Sequence, residues 1–183
     1  MAILSLADAK AQLDLTSTAH DTELQAYVDA IDEVIEGIIG PVTVREVTEQ
    51  VDGRGPTLSL LKAPAISLTS FTPVLTGGPT LDVSQLHLNG ALGEVRRKDG
   101  AYFTGGPWTA VYQAGRPTVS PTINISGRIL LQHWWRTQYG AARGNVGGTD
   151  DFDVTEPIVG FGYAIPNRVL QLLEPFKTGP GVA

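Results

Sequence analysis

The segment Asp21–Gly40 limits the fold of this chain more than any other stretch. Leu24, Val28, Ile31, Ile35 and Ile38 recur at spacings of 4, 3, 4 and 3, which places them on one face of a helix. Glu23, Asp29, Asp32, Glu33 and Glu36 fall largely off that stripe, and Asp21 stands where a cap belongs. Gly40 followed by Pro41 stops the helix. A helix with one apolar face must bury it against a partner. The preceding residues offer one: Ser5 caps a first helix, with Asp8 in the place of the capping-box acid. That helix ends near Leu13–Leu15, and a turn follows over Thr16–His20.

The period changes at Val42. Val42, Val44 and Val47 begin a β-rich region that reaches about Ala114. Turns fall at Asp52–Pro56, Gly77–Pro79, Asn89-Gly90 and Asp99-Gly100. Leu58, Leu60, Ile66 and Leu68 suit strands broken at Pro64, while Leu86–Leu88, Glu94–Arg97 and Trp108–Gln113 read as short strands. Helix returns after Ser120-Pro121, a cap followed by a first-turn proline, and runs over Thr122–Tyr139, weakened at Gly127. Trp134-Trp135-Arg136 could form a stacking platform, but the two Trp side chains point about 100° apart on the helix, so at least one should pack in the core, and core or subunit contact is the expectation for the pair. Gly140–Thr149 reads as a glycine-rich loop. Pro166 opens a last helix to about Phe176, with Val169, Leu170, Leu172 and Leu173 as its apolar set. The expectation is an α+β fold: a small helical bundle, two N-terminal helices plus C-terminal ones, with an inserted antiparallel β-rich region. In ranges, a single domain over 1–183 holds a helix pair (1–40), a β-rich insertion (42–116), C-terminal helices (120–176) and a flexible tail (177–183).

Composition removes several kinds of chemistry. The chain has no cysteine, so disulfides, thiol catalysis and Cys-based metal sites are excluded. Its longest uncharged stretch, Ala63–Leu81, carries Pro64, Pro73, Gly77, Gly78 and Pro79 and cannot be one membrane helix. No basic segment precedes Asp8, so no signal peptide is expected. The net charge is −6, and residues 1–40 hold one base, Lys10, against eight acids. That is not the balance of a protein that grips nucleic acid through its phosphates.

The candidate reactive groups do not converge. His20, His87 and His133 fall in a turn, a strand and a helix, without metal-ligand spacing. Asp150, Asp151 and Asp153 lack the alternation and glycine of a calcium loop. No phosphate loop or nucleophile elbow is present, and Gly160-Phe161-Gly162 has no βαβ unit around it to make a dinucleotide fingerprint. Arg96-Arg97-Lys98, the one basic run, abuts the Asp99-Gly100 turn and is expected near a hairpin tip. No catalytic, cofactor or metal residues are assigned, and the chain is not expected to be an enzyme.

The order of elements resembles a known family. Ser5–Leu13 (SLADAKAQL), the helix Asp21–Ile31 (DTELQAYVDAI) with its Gly40 stop, Val111–Gly115 (VYQAG) and Ala164–Pro175 (AIPNRVLQLLEP) are similar to segments of the head-to-tail connector (adaptor) proteins of long-tailed double-stranded DNA bacteriophages. The resemblance implies a structural adaptor in the virion neck, made in the host cytoplasm, that forms a ring of about twelve copies beneath the portal protein. It would join the capsid to a stopper or tail-completion protein and form part of the DNA channel, with DNA passing through unbound and no membrane involved. Asp29, Asp32, Glu33 and Glu36 would face the channel or a neighbouring subunit, or else form a plain solvent face. Arg143, Asn145, Phe176, Lys177, Thr178 and Val182, in the glycine-rich loop and the tail, would meet the portal or another partner. The competing readings are another neck protein (stopper or tail-completion factor), a small β-rich ligand-binding module, and a hydrolase using Asp150, Asp151 or Asp153.

Overall fold

The computed structural model describes residues 2–139 and 165–177. The Gly140–Thr149 loop with Arg143 and Asn145, the acids Asp150, Asp151 and Asp153, Gly160–Gly162, and the tail with Thr178 and Val182 lie outside the described residues. The chain is α+β, with helices on both sides of two antiparallel sheets in sequence. It divides into a helical unit (2–34, 120–139 and 165–175 of the described residues) and a β-rich unit (35–119 and 176–177).

In the helical unit, α1 (Leu6–Gln12) opens with the expected capping box. Ser5 Oγ accepts the Asp8 N–H at 3.0 Å, and the Asp8 carboxylate accepts the Ser5 N–H at 3.4 Å. The helix α2 (Asp21–Ile39) begins one residue earlier than a cap at Asp21 allows. Asp21 is its first helical residue, and its carboxylate takes Lys10 Nζ at 2.6 Å instead of capping. Leu24, Val28, Ile31 and Ile35 are buried as the spacing predicts, but the stripe ends on buried Ile39, with Ile38 only half-buried.

The helix α3 (Pro121–Tyr139) buries Ile123, Ser126, Gly127, Leu130 and Leu131. Gly127 is more than a weak point. A Cβ there would sit 3.2 Å from Ile3 Cγ2 and Leu4 Cδ1, so its missing side chain lets residues 3–4 lie against the helix. The helix α4 (Asn167–Leu173) packs on α3, buries Val169 and Leu173, and passes into a 3-10 turn, Glu174–Phe176.

The β-rich unit holds two three-stranded sheets. In one, β6 (Trp108–Ala114) lies between β1 (Arg45–Val51) and β3 (Ala65–Pro73). In the other, β5 (Glu94–Arg97) lies between β2 (Thr57–Ser59) and β4 (Leu86–Asn89). Strand β6 alternates buried and half-buried along its whole length, as a central strand with one face on the core should. Trp108, Tyr112, Phe71, Phe103, Leu58 and Val95 form that core, and Trp108 Nε1 donates to Pro79 O at 3.1 Å, so the ring buries no unpaired donor. Gly40 closes α2 at φ +76°, and a Cβ there would fall 2.0 Å from Ala63 O, so only glycine fits.

Two further expectations are corrected, besides the Asp21 cap and the Ile38 end of the stripe. The Asp99-Gly100 turn does not tip a hairpin: the β4–β5 hairpin turns through residues 90–93, and Arg96–Lys98 sit at its opposite end. Neither Trp134 nor Trp135 belongs to the buried core, because Leu130 and Leu131 take the deep positions one turn earlier.

Candidate functional site

The acids of α2 serve different ends. Glu36, in the β-rich unit, accepts Val42 N–H at 2.9 Å, Thr43 N–H at 3.3 Å and Arg45 Nη1 at 2.6 Å. Burial works against its charge, but the Val42 N–H, Arg45 and the Thr43 N–H outweigh it and hold the carboxyl below its ordinary range. Glu36 therefore ties the helix end to the start of β1. Asp32, in the helical unit, accepts the Ile3 N–H at 3.0 Å and fixes the N-terminal segment. Asp29 and Glu33 are exposed, and Asp29 takes only the Gln25 side chain, one turn back, at 2.8 Å. Of the four acids, these two are the ones left open to solvent.

Sequence reasoning missed two arginine hubs. Arg116 sends its guanidinium to the carbonyls of Ile39, Pro41 and Phe176, each at 2.9 Å, within the β-rich unit. These are the carbonyl end of α2 and the last 3-10 turn, where cationic donors complete otherwise unpaired acceptors. Burial pushes the Arg116 pKa down, the Glu36 charge pulling the other way. Phe176 is thus anchored through its backbone, and Lys177, next to it, is exposed.

In the helical unit, Arg128 bonds Asp8 Oδ1 at 2.6 Å and Asn124 Oδ1 at 2.8 Å, and Asn124 donates to Ile3 O at 2.8 Å. The Asp8 carboxyl is lowered, first by the Ser5 hydroxyl. A lone arginine after Gly115 or within α3 carries no sequence signal, because the partners of Arg116 are backbone carbonyls and the charged partner of Arg128 is 120 positions away.

The end of α3 carries an aromatic cluster. Trp135 lies 4.3 Å from Tyr139 between ring centres and edge-on to His20 at 5.5 Å, while Trp134 and Trp135 both flank Tyr27. Tyr27 donates to Gln138 at 2.8 Å and Tyr139 donates to Glu23. That hydrogen bond, with its carboxylate, raises the Tyr139 phenol to about 12. His20 thus packs within the helical unit, its Nδ1 3.5 Å from Glu23. Among the described residues no group of three His, Asp or Glu is placed to hold a metal ion, and no helix is long and apolar enough to cross a membrane.

The basic run is largely matched internally. Arg96 reaches Glu94 at 3.1 Å, Arg97 Nε reaches Asp99 at 3.0 Å, and Lys98 Nζ reaches Ser84 O at 2.7 Å. Asp99, hydrogen-bonded to Arg97 and to the Ala101 N–H, is held at about 2. What these groups do is hold backbone and neighbours in place; none is paired with a nucleophile or a base in the way a reaction requires.

The fold has close counterparts. A chain in the neck of an empty GTA particle computed with C6 symmetry superposes with a TM-score of 0.64 at 20% identity, over 97% of this chain and 90% of that one. A chain of the virion of a native gene transfer agent (GTA) particle gives a TM-score of 0.58 at 18% identity, over the same shares. At such identities the likeness is one of fold. No curated protein matches the chain in sequence. The head completion protein family matches residues 2–178, nearly the whole length. The chain therefore belongs to the head completion protein family and is a structural protein of virion assembly, not an enzyme.

Proposed function

We propose that the chain is a neck component of a tailed particle, forming a ring at the head–tail junction that completes the filled head. The observation that carries this reading is the family match over residues 2–178. The fold likeness to a chain in a neck computed with C6 symmetry supports it, because six or twelve copies both suit that symmetry. The family supports a general head-completion role better than the narrower one of an adaptor seated directly on the portal, so a stopper or tail-completion level is the favoured place in the stack.

In this ring, Asp29 and Glu33 face the DNA path. Their carboxylates lower DNA affinity rather than add to it, since only neutralised phosphates release counterions. Residues beyond Phe176, with Arg143 and Asn145, reach the neighbouring neck protein.

Native mass spectrometry tests the reading, first on the chain alone and then with the portal and with the next neck protein. A ring that joins the stack only after another neck protein is present fits the head-completion level. A ring built on the portal alone restores the adaptor reading. A monomer indifferent to every neck protein refutes both.

A further inference from the structure

From the open edge of β1, we infer that this strand receives an extended segment of a different virion protein as an added strand. The inference rests on the neck reading for the kind of partner. Strand β1 pairs with β6 through seven consecutive residues without a register shift, and no described strand lies beyond it. An edge strand turns alternate N–H and C=O groups away from its single partner and so offers them to another chain.

The opposite edge of the same sheet is blunted. β3 carries two register shifts, ends in Pro73, and is met by Leu81, whose N–H bonds Phe71 O at 3.2 Å. In the second sheet, β2 and β4 are only three and four residues long. β1 has no proline and no bulge, and of its three charged side chains Arg45 is engaged by Glu36 and Glu49 accepts the Leu61 N–H at 2.8 Å, so only Glu46 is left to guard the edge.

The surroundings of the edge favour a basic segment. Val44, just before the strand, is 50% exposed and offers an apolar seat. Arg45 is bonded to Glu36, which leaves the exposed Glu46 as the open charge at that end. The matching segment is therefore extended, with an apolar residue against Val44 and a Lys or Arg against Glu46.

A second copy is the poorer occupant. Two β1 edges pair only about a twofold axis, which closes a dimer and cannot propagate a cyclic ring. The other described edges are too short or too bulged to serve as its partner.

The experiment is hydrogen exchange on the whole chain, isolated and within purified particles that contain it. Alternate amides of residues 45–51 should exchange freely in the isolated chain and slow by about tenfold or more in the particle. Glu46→Lys should keep the circular dichroism of the wild type yet cut incorporation into particles by about tenfold, with Glu46→Gln intermediate. Unchanged exchange in the particle overturns the inference and leaves the neck reading standing. Slow exchange already in the dilute isolated chain means a segment of the same chain covers the edge. Slowing that follows the concentration of the chain alone means a second copy does. Either outcome overturns the inference, as does wild-type incorporation of Glu46→Lys. Absence of the chain from particles overturns the inference together with the neck reading.

Discussion

Replacing Glu36 should unfasten the junction between α2 and β1. The side chain is 16% exposed and accepts two backbone N–H groups and one arginine. Val42, whose N–H it takes, is fully buried. A hydrogen bond to a charged group is worth about 1.5–3 kcal/mol, and a stranded buried donor costs about 1–3 kcal/mol. The Arg45 ion pair adds less than about 1 kcal/mol, because that guanidinium is nearly half exposed.

Glu36→Ala should therefore lose about 3 kcal/mol, which for a chain of this size lowers Tm by about 6–12 °C. Glu36→Gln keeps an acceptor for the Val42 N–H and should lose about 1 kcal/mol, or about 2–4 °C. The acid dependence has a definite sign. The folded-state pKa of Glu36 lies below its ordinary value of 4.5, so its ionised form stabilises the fold fully above 4.5. That stabilisation fades as pH falls below 4.5 through the lower folded value. Thermal unfolding from pH 7 down to about pH 3 should show a constant gap between wild type and Glu36→Gln that closes at the acid end. An Ala variant melting within about 1 °C of wild type, or a gap that widens in acid, would make Glu36 just another surface acid.

Three further outcomes follow from the same geometry. Arg116→Ala removes donors from three carbonyls and should cost about 3 kcal/mol, with Arg116→Lys recovering only part; equal melting of all three proteins counts against the hub. Gly127→Ala should lower Tm by a few degrees although alanine is the better helix former by about 1 kcal/mol, because buried Ile3 and Leu4 cannot retreat; a rise in Tm would show that they can. Ultraviolet titration should find a tyrosine ionising near 12 that Tyr139→Phe removes and Glu23→Gln shifts down; an unchanged curve in both variants contradicts the Tyr139–Glu23 bond.

The parts of the fold legible in the sequence are those where one period or one turn decides the structure. The stripe of α2 up to Ile35, the Ser5–Asp8 box, the Gly40 stop, the strand Glu94–Arg97 and the strand read as Trp108–Gln113, which runs to Ala114, all follow local rules and are found. The misses need tertiary knowledge. Whether Ile38 or Ile39 ends the stripe depends on how the helix is rotated at its last turn. Whether Asp21 caps or pairs depends on where Lys10 falls. Gly127 looked like a flaw in α3 because the residues that fill its gap are more than 120 positions away. The candidate site was legible only as charge. The sequence shows eight acids in 40 residues but not that Glu36 and Asp32 are engaged by backbone N–H groups.

That partition sets what the acidic helix would do in the proposed ring. Asp21 is paired with Lys10 inside the first 40 residues, while Asp8 is paired with Arg128 and Glu36 with Arg45, so the acidic excess of that segment is partly cancelled by two cations from outside it. Asp29 and Glu33 are exposed on α2 and are the acids free to act on a passing polyanion. Screening over about 8 Å at physiological salt confines that action to close approach. Reversing both charges, Asp29→Lys with Glu33→Lys, should leave the fold within about 1 °C of wild type, since neither acid closes a tertiary bond in the described structure. In particles the same change should slow DNA release at low salt, as the new lysines bind phosphate and release counterions, and the delay should vanish as salt rises. DNA release equal to wild type at every salt concentration would refute the proposed channel-facing position of Asp29 and Glu33.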